Sequence, residues 1–539
     1  MADGNGAIGR EQLMSRAAIP ALIVLAVTAL LVAGAFLALA ASATTDGSVL
    51  AALRQGYLWS AIRFTILQAG LSTLLSVGLA IPVARAIARN SDWPGRRWLM
   101  LLLTVPLALP SLVAVFGIVT VWGRVGWLAM LTGLTPPIYG LTGILIAHVF
   151  FNLPFAVLLL TARLEAIPLE TWRLAGQLGF RANSVWRLIE WPAIRSVLPG
   201  AAAIVFLVCV TSFTVILTLG GGPWATTLEV AIYQALRFDF DPPRAVLLAL
   251  MQMVLCLIVI TALRASGAAM LPMAGLGRPT ERGGSLSGGQ RLIDSVLIAG
   301  TVLFTGLPIV AVALAAAVNA RALWADGWIV GRAIATSLGI AAVAASLSVA
   351  AAWSLVVAAR GEDSFGRLAQ KLASGGAVLL VVPPFVVGAG WFLLLNRQGL
   401  AFALAPVAVI AINALMSLPF ALRILAAADE AAGRDLNRLC ANLGLTGWLR
   451  FRLIDGPRLA PAVAFAAALA AALSLGDLGI AALFGSERLV TLPLLLQQRM
   501  GSYRQADAAA LAGVLAGLCL LIFAAGEQFA RRLRKGTAL

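Results

Sequence analysis

Arg173-Leu-Ala-Gly-Gln-Leu-Gly179 recurs in the second half of the chain as Arg438-Leu-Cys-Ala-Asn-Leu-Gly444, an offset of 265 residues. The same or nearly the same offset relates four further pairs of segments: Leu153–Ala156 with Leu418–Ala421, Glu165-Ala166 with Glu430-Ala431, Arg187–Pro192 with Arg452–Pro457, and Thr227-Leu228 with Thr491-Leu492. A polar stretch does not match in residue type and spacing through composition alone. The repeat therefore indicates a chain built from two related halves.

The composition is that of a polytopic membrane protein. Of 539 residues, 61% are hydrophobic and only 12% are charged, whereas a typical soluble protein has about 25% charged residues. Because backbone groups in lipid must be hydrogen-bonded within their own segment, we expect every span to be an α-helix. The formal net charge of +16 is typical of arginine-rich cytoplasmic loops, and we expect no nucleic-acid partner.

Twelve apolar runs are long enough to cross a bilayer, which takes about 20 helical residues. They lie near residues 18–42, 59–83, 98–122, 138–162, 197–220, 245–267, 293–319, 332–358, 373–395, 401–424, 459–484 and 507–529. The first run resembles a signal peptide but is longer than the usual apolar region, so we interpret it as an uncleaved span. Since each half carries six spans, an even number, the halves are expected to form parallel repeats.

These runs predict the domain organisation and the orientation in the membrane. The predicted segments are an N-terminal segment with the first span (1–58), a first transmembrane domain (59–267), a cytoplasmic linker (268–292), the seventh span with its external loop (293–331), a second transmembrane domain (332–530) and a basic tail (531–539). Arginines are concentrated after spans two, four and ten and in the tail. The positive-inside rule therefore places these loops and both termini in the cytoplasm.

The linker contains Leu286-Ser-Gly-Gly-Gln290, a string that is typical of ABC-transporter ATPases. An ATPase also needs a P-loop, GxxxxGK[ST], whose backbone amides and lysine hold the phosphates. The two lysines of the chain are Lys371 and Lys535, and neither follows a glycine. We therefore interpret the string as a coincidence in a Gly- and Ser-rich linker, and we expect no enzyme activity and no catalytic residues.

Each repeated loop is predicted to form two short helices. In the first loop, Gly179 can end the first helix in a left-handed conformation that other residues resist, and Pro192 begins the next span. An exposed apolar helix fits a partner's groove or the membrane surface, and two copies in register favour a two-fold partner. The candidate docking residues are Ala175, Leu178, Gly179, Trp186, Pro192, Leu443, Gly444, Trp448, Phe451 and Pro457.

These loops resemble the EAA loops of ABC importer permeases, in which Glu-Ala-Ala precedes a glycine and Leu-Pro follows thirteen residues after it. Gly179–Pro192 and Gly444–Pro457 keep that spacing, although Arg173 and Arg438 stand where the family has its acid. The external stretch 211–242 is similar to the thiamine-transporter permeases, a family that fuses both halves in one chain. Fused ferric-iron permeases are the nearest alternative, since they share the twelve-span plan.

The resemblance implies an all-α, type I ABC importer permease with 12 transmembrane helices in the bacterial inner membrane. It implies that the two loops are coupling helices, each docked into one of two copies of an ABC ATPase subunit. ATP and Mg would then be bound by those subunits, and this chain would bind no cofactor itself. A periplasmic thiamine-binding protein would deliver thiamine, or its phosphate esters, to the external loops, and lipid would surround the spans.

Polar residues inside the spans are candidates for a substrate path, because buried polar groups in lipid are costly. Asp477 lies in the eleventh run and can face a cationic substrate or bond to neighbouring helices. His148 and Asn413 occupy matching positions, where helix-packing hydrogen bonds compete with substrate contact. Glu229 and Tyr233 follow span five, where they can line the outer mouth or contact the binding protein. Four scattered cysteines and one histidine predict no metal site.

The rival class is an ion-coupled secondary transporter with six plus six parallel spans. Its characteristic Gly-x-x-x-Asp-Arg pattern would follow span two. That loop reads Arg85-Ala-Ile-Ala-Arg-Asn-Ser-Asp-Trp-Pro-Gly-Arg-Arg97, which does not match. The repeated segments lie after spans four and ten instead, which favours an ATP-driven permease.

Overall fold

The structure is a computed structural model that describes residues 4–43, 56–91, 93–220, 222–265, 288–360, 366–370, 383–430, 439–440, 442–445 and 447–536. Throughout these residues the secondary structure is helical, without a strand. Its α-helices are α1 (Gly4–Ala43), α2 (Gly56–Arg89), α3 (Arg96–Ala108), α4 (Ser111–Trp122), α5 (Trp127–Thr132), α6 (Leu141–Glu165), α7 (Leu169–Gln177), α8 (Ala182–Val185), α9 (Trp191–Val210), α10 (Phe213–Leu219), α11 (Leu228–Arg237), α12 (Pro242–Ala265), α13 (Gly288–Val318), α14 (Ala322–Ala325), α15 (Gly327–Ala358), α16 (Pro384–Arg397), α17 (Ala405–Glu430), α18 (Gly447–Arg450), α19 (Gly456–Leu475), α20 (Gly479–Phe484), α21 (Leu492–Gly501) and α22 (Gln505–Gly536).

In these described ranges, 11 helical segments are long and apolar enough to cross a membrane. They account for all the predicted runs except 373–395. The first part of that run, 373–382, lies outside the described residues, and the rest falls on α16 (Pro384–Arg397). The all-α, polytopic fold class is therefore confirmed. The helix α13 begins at Gly288, inside the predicted linker 268–292. Residues 268–287 lie outside the described residues.

Three predicted runs are broken rather than continuous in the described residues. In the run 197–220, α9 ends at Val210 and α10 begins at Phe213. In the run 98–122, α3 ends at Ala108 and α4 begins at Ser111. Pro110 explains this break, because proline offers no N–H and holds the preceding residue, Leu109, in extended backbone with ψ of 131°. In the run 459–484, the helix stops at Leu475, and a new short helix begins only at Gly479.

The described helices group into two units. The first unit comprises residues 50–232 and 248–320, and in it α2 packs against α6 and α9, while α13 packs against α2, α3 and α4. The second unit comprises residues 1–49, 233–247 and 321–539, and in it α15 packs against α17 and α19, while α1 packs against α15 and α16. The first helix of each half thus belongs to the unit formed mainly by the other half.

Small side chains allow the close packing of α2 in the first unit. Lipid tails are as apolar as the helix surfaces, so helices associate in membranes through close contact rather than through a hydrophobic driving force. One face of α2 accordingly buries small residues at helical spacing: Ala61, Ala69, Ser72, Ser76, Ala80, Ala84 and Ala88.

The structure repeats a capping contact in both units. The Leu228 N–H donates to Thr65 Oγ1 over 3.1 Å, and the Leu492 N–H donates to Ser337 Oγ over 2.8 Å. In each unit, a hydroxyl on a long helix thereby satisfies one unpaired amide at the start of a 10-residue helix, α11 or α21. The sequence repeat around Thr227 and Thr491 is therefore also a repeat of tertiary contacts.

Candidate functional site

The first paired loop turns at Gly179, as the sequence predicts. Its φ is +65°, the left-handed conformation, and a Cβ at this position would meet no atom within 4 Å. The Phe180 N–H donates to the Ala175 carbonyl over 3.0 Å, and the Leu178 N–H donates to the Leu174 carbonyl over 2.9 Å. Glycine is needed here for its backbone freedom and not for space.

The second paired loop has the same turn at Gly444, where φ is +66°. The Leu445 N–H donates to the Cys440 carbonyl over 2.9 Å. This bond is equivalent to the one between Phe180 and Ala175, since both partners lie 265 residues further along the chain. Residues 431–438, including Arg438, lie outside the described residues. The two glycine turns predicted from the sequence are both confirmed.

The predicted separate second helix of each loop is wrong. In the first loop, α8 continues through a π-helical turn, Trp186–Glu190, into α9 without a break. The Trp191 N–H donates to the Trp186 carbonyl, five residues back. Pro192, in the first turn of α9, has no N–H and its ring would clash with a carbonyl of a regular helix, so a widened turn admits it.

The second loop again shows the same arrangement. A π-helical turn, Phe451–Asp455, leads into α19, and the Gly456 N–H donates to the Phe451 carbonyl. Pro457 stands one residue further on, as Pro192 does in the first loop. In both halves, therefore, the loop and the following span form one continuous rod.

Matched leucines of the two loops are exposed to nearly the same degree. Leu178 is 62% exposed and Leu443 is 63% exposed, while Leu188 and Leu453 are 63% and 57% exposed. Apolar side chains exposed on a polar loop are typical of a protein contact. Ala175 differs from this prediction, because it is only 6% exposed and packs the loop against its own unit instead of offering a surface.

Aromatic residues at equivalent positions of the two loops make different contacts. Trp186 lies under the guanidinium of Arg85, with Cζ 4.1 Å from the ring centroid. The residue equivalent to Trp186 is Phe451, which packs edge-on against Trp353 at 5.5 Å between centroids. Trp448 stacks on Phe451 at 5.1 Å and is largely exposed.

Two buried carboxylates fasten the ends of the first loop. Glu190, in the π-helical turn, accepts a hydrogen bond from Arg85 Nε over 2.7 Å. Glu165, the last residue of α6, pairs with Arg96 at the start of α3. Both carboxylates are almost fully buried, so each loop end is held to a helix by a charge-assisted hydrogen bond.

A single arginine fastens both ends of the second loop. Arg360 Nη2 lies 2.7 Å from Asp429 near the end of α17, and Arg360 Nη1 lies 2.8 Å from Asp455 in the π-helical turn. Burial acts to lower the pKa of Arg360, but the hydrogen bonds to the two aspartates outweigh it, and the pKa is raised. The counterpart of Glu165 is thus Asp429, whereas Glu430, its match in the sequence repeat, is exposed.

These carboxylates were not among the site residues predicted from the sequence. A signal was present, because the repeated segments end in Arg187-Leu-Ile-Glu190 and Arg452-Leu-Ile-Asp455, an acid in both copies. The arginine partners gave no such signal, since they lie far away in the chain and follow a different spacing in each half.

The matching polar residues of the spans bond to neighbouring helices. In the first unit, His148 Nδ1 lies 3.0 Å from Ser72 Oγ, and Asn152 Nδ2 lies 3.3 Å from Cys209 Sγ. In the second unit, Asn413 Nδ2 donates to Ser474 Oγ over 2.9 Å. His148 Nε2 and Asn413 Oδ1 are buried and have no hydrogen-bond partner.

The eleventh run predicts that Asp477 lies within a helix. In the structure it lies instead in the break between α19 and α20. Its Oδ1 accepts from the Ile480 N–H over 3.4 Å, and its Oδ2 is buried without a hydrogen-bond partner. The break provides backbone amides that a continuous helix would use internally, which explains how a carboxylate is accommodated there.

The two residues predicted at an outer mouth differ in their surroundings. Glu229 is 2% exposed and accepts a hydrogen bond from Gln252 Nε2 over 3.1 Å, so its carboxylate offers no surface to a binding protein in this conformation. The Tyr233 ring lies 5.6 Å from Phe238 and 6.5 Å from Phe385, between centroids. In the described parts of the chain, no group of three or more His, Cys, Asp or Glu residues is arranged to hold a metal ion.

The fold and the paired loops define a multi-pass membrane transport permease with two related halves. The family of binding-protein-dependent transport system inner membrane components matches residues 76–271 and 363–535, once in each half. The chain belongs to this family, so it is a multi-pass inner membrane protein and a transport subunit. The ion-coupled alternative is not favoured.

Relatives over nearly the full length carry one name, thiamine transport system permease protein ThiP. The Brucella abortus (strain 2308) protein is 47% identical over 523 residues, covering 94% of both chains. The Escherichia coli (strain K12) protein is 42% identical, covering 92% of this chain and 94% of its own. The Haemophilus influenzae (Rd) protein is 38% identical, covering 87% and 88%. The resemblance to fused thiamine-transporter permeases is confirmed.

Proposed function

We propose that this chain is the permease subunit of an ATP-driven, binding-protein-dependent importer that moves thiamine across the inner membrane. Thiamine is supported by the shared name of relatives from three genera, and its phosphate esters are proposed as further substrates. The observation that carries the mechanism is the pair of matched loops, each ending in a left-handed glycine and each continuous with a span.

The two loops are the docking sites for two copies of an ABC ATPase subunit. Two identical grooves require two similar apolar surfaces, and Leu178 and Leu443 are exposed to almost the same degree. ATP and Mg are bound by those partner subunits, because neither lysine of this chain lies in a P-loop. The arginine-rich loops support a cytoplasmic position for this docking face and for both termini.

The ion pairs transmit movement from the loops to the spans. When ATP draws the partner subunits together, a loop that is fastened at both ends moves as one body with its span. Glu190 and Asp455 hold the π-helical turns, and Glu165 and Asp429 hold the opposite loop ends. The two conformations of the permease are then biased by ATP on one face and by the loaded binding protein on the other.

Asp477 is the proposed contact for the positively charged thiazolium ring of thiamine. It has a buried carboxylate oxygen without a hydrogen-bond partner, and it lies at a helix break of the kind that forms substrate sites in transporters. Tyr233 is a secondary candidate, whereas the hydrogen bonds of His148 and Asn413 to neighbouring helices favour a packing role for them over substrate contact.

Uptake by proteoliposomes tests the function. The vesicles contain this chain and its ATPase, with the thiamine-binding protein and labelled thiamine or ferric iron added outside. Uptake of thiamine that requires both ATP and the binding protein is expected. Uptake of ferric iron alone would overturn the substrate, and uptake driven by an ion gradient without ATP would overturn the class.

Charge placed on the docking faces tests the coupling loops. Leu178→Glu and Leu443→Glu should each weaken binding of the ATPase subunits and abolish ATP-driven uptake in combination. Because both leucines are exposed, the free energy of unfolding should change by no more than about 0.5 kcal/mol. Leu134→Glu is the matched control, since Leu134 is 64% exposed but lies outside both loops. Normal coupling in the double variant would contradict the assignment of the loops.

A further inference from the structure

Two aromatic residues have a backbone conformation that glycine usually adopts. Phe240 has φ of +52° and Tyr503 has φ of +58°, and they are the only non-glycine residues with positive φ in the part of the chain that the structure describes. A bulky side chain in left-handed backbone is sterically disfavoured. Strain of this kind persists where the side chain has a role that outweighs it.

The two residues occupy equivalent places in the repeat. Phe240 follows α11 and precedes α12, and Tyr503 follows α21 and precedes α22. At the first turn the Asp241 N–H donates to the Ala235 carbonyl over 2.8 Å, and at the second the Arg504 N–H donates to the Arg499 carbonyl over 3.0 Å. Each aromatic residue is therefore the left-handed residue that ends a short helix.

Other helix ends of the same chain show that glycine would suffice for the turn alone. Gly133, Gly179, Gly399 and Gly444 follow the ends of helices with φ between +65° and +72°. At the positions of Phe240 and Tyr503, the chain has an aromatic ring instead. The ring, rather than the turn, is then the feature that function requires.

Both rings point away from the protein. Phe240 is 80% exposed and Tyr503 is 88% exposed, and neither side chain makes a hydrogen bond or a ring contact with the described residues. The turns themselves are held by charges. Arg244 Nη1 donates to Asp239 Oδ2 over 3.1 Å beside Phe240, and Arg504 Nε lies 2.5 Å from Asp507 Oδ2 beside Tyr503.

These surroundings favour a protein partner over lipid. Charged side chains beside each ring are typical of a turn in water, and rigid aromatic side chains are favoured anchors in protein interfaces. An exposed aromatic ring needs no left-handed backbone to reach lipid, since Trp98 is 73% exposed on the regular helix α3. One span separates each aromatic residue from the paired loop of its half, so span order places both on the opposite membrane face.

We propose that Phe240 and Tyr503 are paired anchors on the external face for the periplasmic binding protein. This assignment rests on the proposed function, because that function names the partner. Both anchors lie in the second unit, which comprises residues 1–49, 233–247 and 321–539, so one partner that contacts this unit can engage both rings. Each anchor is preformed by its strained turn, so binding does not have to order the ring.

Glycine substitution separates the role of the rings from the role of the turns. The permease–ATPase complex in nanodiscs is titrated with thiamine-loaded binding protein, comparing wild type with Phe240→Gly, Tyr503→Gly and the double variant. Because glycine adopts the left-handed conformation without the steric cost of a Cβ, thermal stability should be unchanged or raised. Affinity should fall about tenfold for each single variant. Trp98→Ala is the control, and it should leave the affinity unchanged.

The possible failures are distinguishable. If the wild-type complex does not bind the thiamine-binding protein at all, the proposed function is wrong. If the wild type binds and the double glycine variant binds equally well, the proposed anchors are wrong. If affinity is unchanged and both variants lose thermal stability in nanodiscs but not in detergent, the rings are membrane anchors and the proposal is overturned.

Discussion

The two paired loops share their backbone geometry but differ in the charges that fasten them. In the first loop, Arg85 and Arg96 each hold one buried glutamate, so the two loop ends are fastened independently. In the second loop, Arg360 holds Asp429 and Asp455 together, and Arg450 adds a contact of 3.2 Å to Asp455. The same mechanical requirement, a loop rigidly joined to its span, is therefore met by two different sets of ion pairs.

This difference shows which features of the repeat are constrained. The glycine turn and the π-helical turn are fixed by backbone sterics, so they are the same in both halves. The cation can come from any nearby helix, because a carboxylate needs only a correctly placed donor. In the second loop one arginine, Arg360, pairs with both carboxylates, whereas the first loop uses two arginines, which makes the halves unequally sensitive to mutation of a single arginine.

Arg360→Met should have the largest effect. It leaves Asp429 without its ion-pair partner and Asp455 with Arg450 alone, and removing one partner of a buried pair costs about 3–5 kcal/mol in the free energy of unfolding. Arg96→Met removes one pair and should cost less. Unfolding in detergent, followed by heat or denaturant, measures both.

Arg360→Lys serves as the control for charge. Lysine keeps the cation but cannot bridge two carboxylates with a rigid fork, so its cost should be intermediate. Equal costs for Arg360→Met and Arg96→Met would refute the idea that the second loop depends on a shared arginine.

Valine at the glycine turns should have the next largest effect. Gly179→Val and Gly444→Val meet no steric obstacle in the surrounding space, so their cost comes from φ alone and should be about 1–2 kcal/mol each. Thiamine taken up per ATP hydrolysed should fall in both. Gly176→Ala, in the same open surroundings but inside α7, should instead stabilise the loop by about 0.5–1 kcal/mol.

The two glycine variants also sharpen the comparison between halves. Since the backbone requirement is identical, their costs should agree, in contrast to those of the arginine variants. A loss of coupling in only one of them would mean that one loop alone transmits the ATP-driven movement.

The matched polar residues should give the smallest effect. His148→Asn makes the first half resemble the second at this position, and Asn413→Ala removes the bond to Ser474. Hydrogen bonds between membrane helices contribute about 0.6 kcal/mol on average, so both variants should be nearly normal in stability and uptake. Loss of uptake at unchanged stability would instead give these residues a role in binding substrate.

The agreement between sequence and structure depends on how local each feature is. The turns at Gly179 and Gly444 were predictable because a left-handed residue at a helix end is a property of a few neighbouring residues. The break at Pro110 was equally local, but the hydrophobicity of its run concealed it. The burial of Ala175 was not predictable, since it depends on helices that are distant in the chain.

The sequence by itself determined the membrane class, eleven of the helical spans, the two-fold repeat and the turns that end in glycine. Hydropathy and backbone sterics act over short stretches, so they can be read directly from the residues. Only the tertiary structure decided which arginine holds which carboxylate, because Arg85 and Glu190 are 105 residues apart and meet through the packing of whole helices. It also decided that Phe240 and Tyr503 are presented on strained turns, since φ depends on how the flanking helices end.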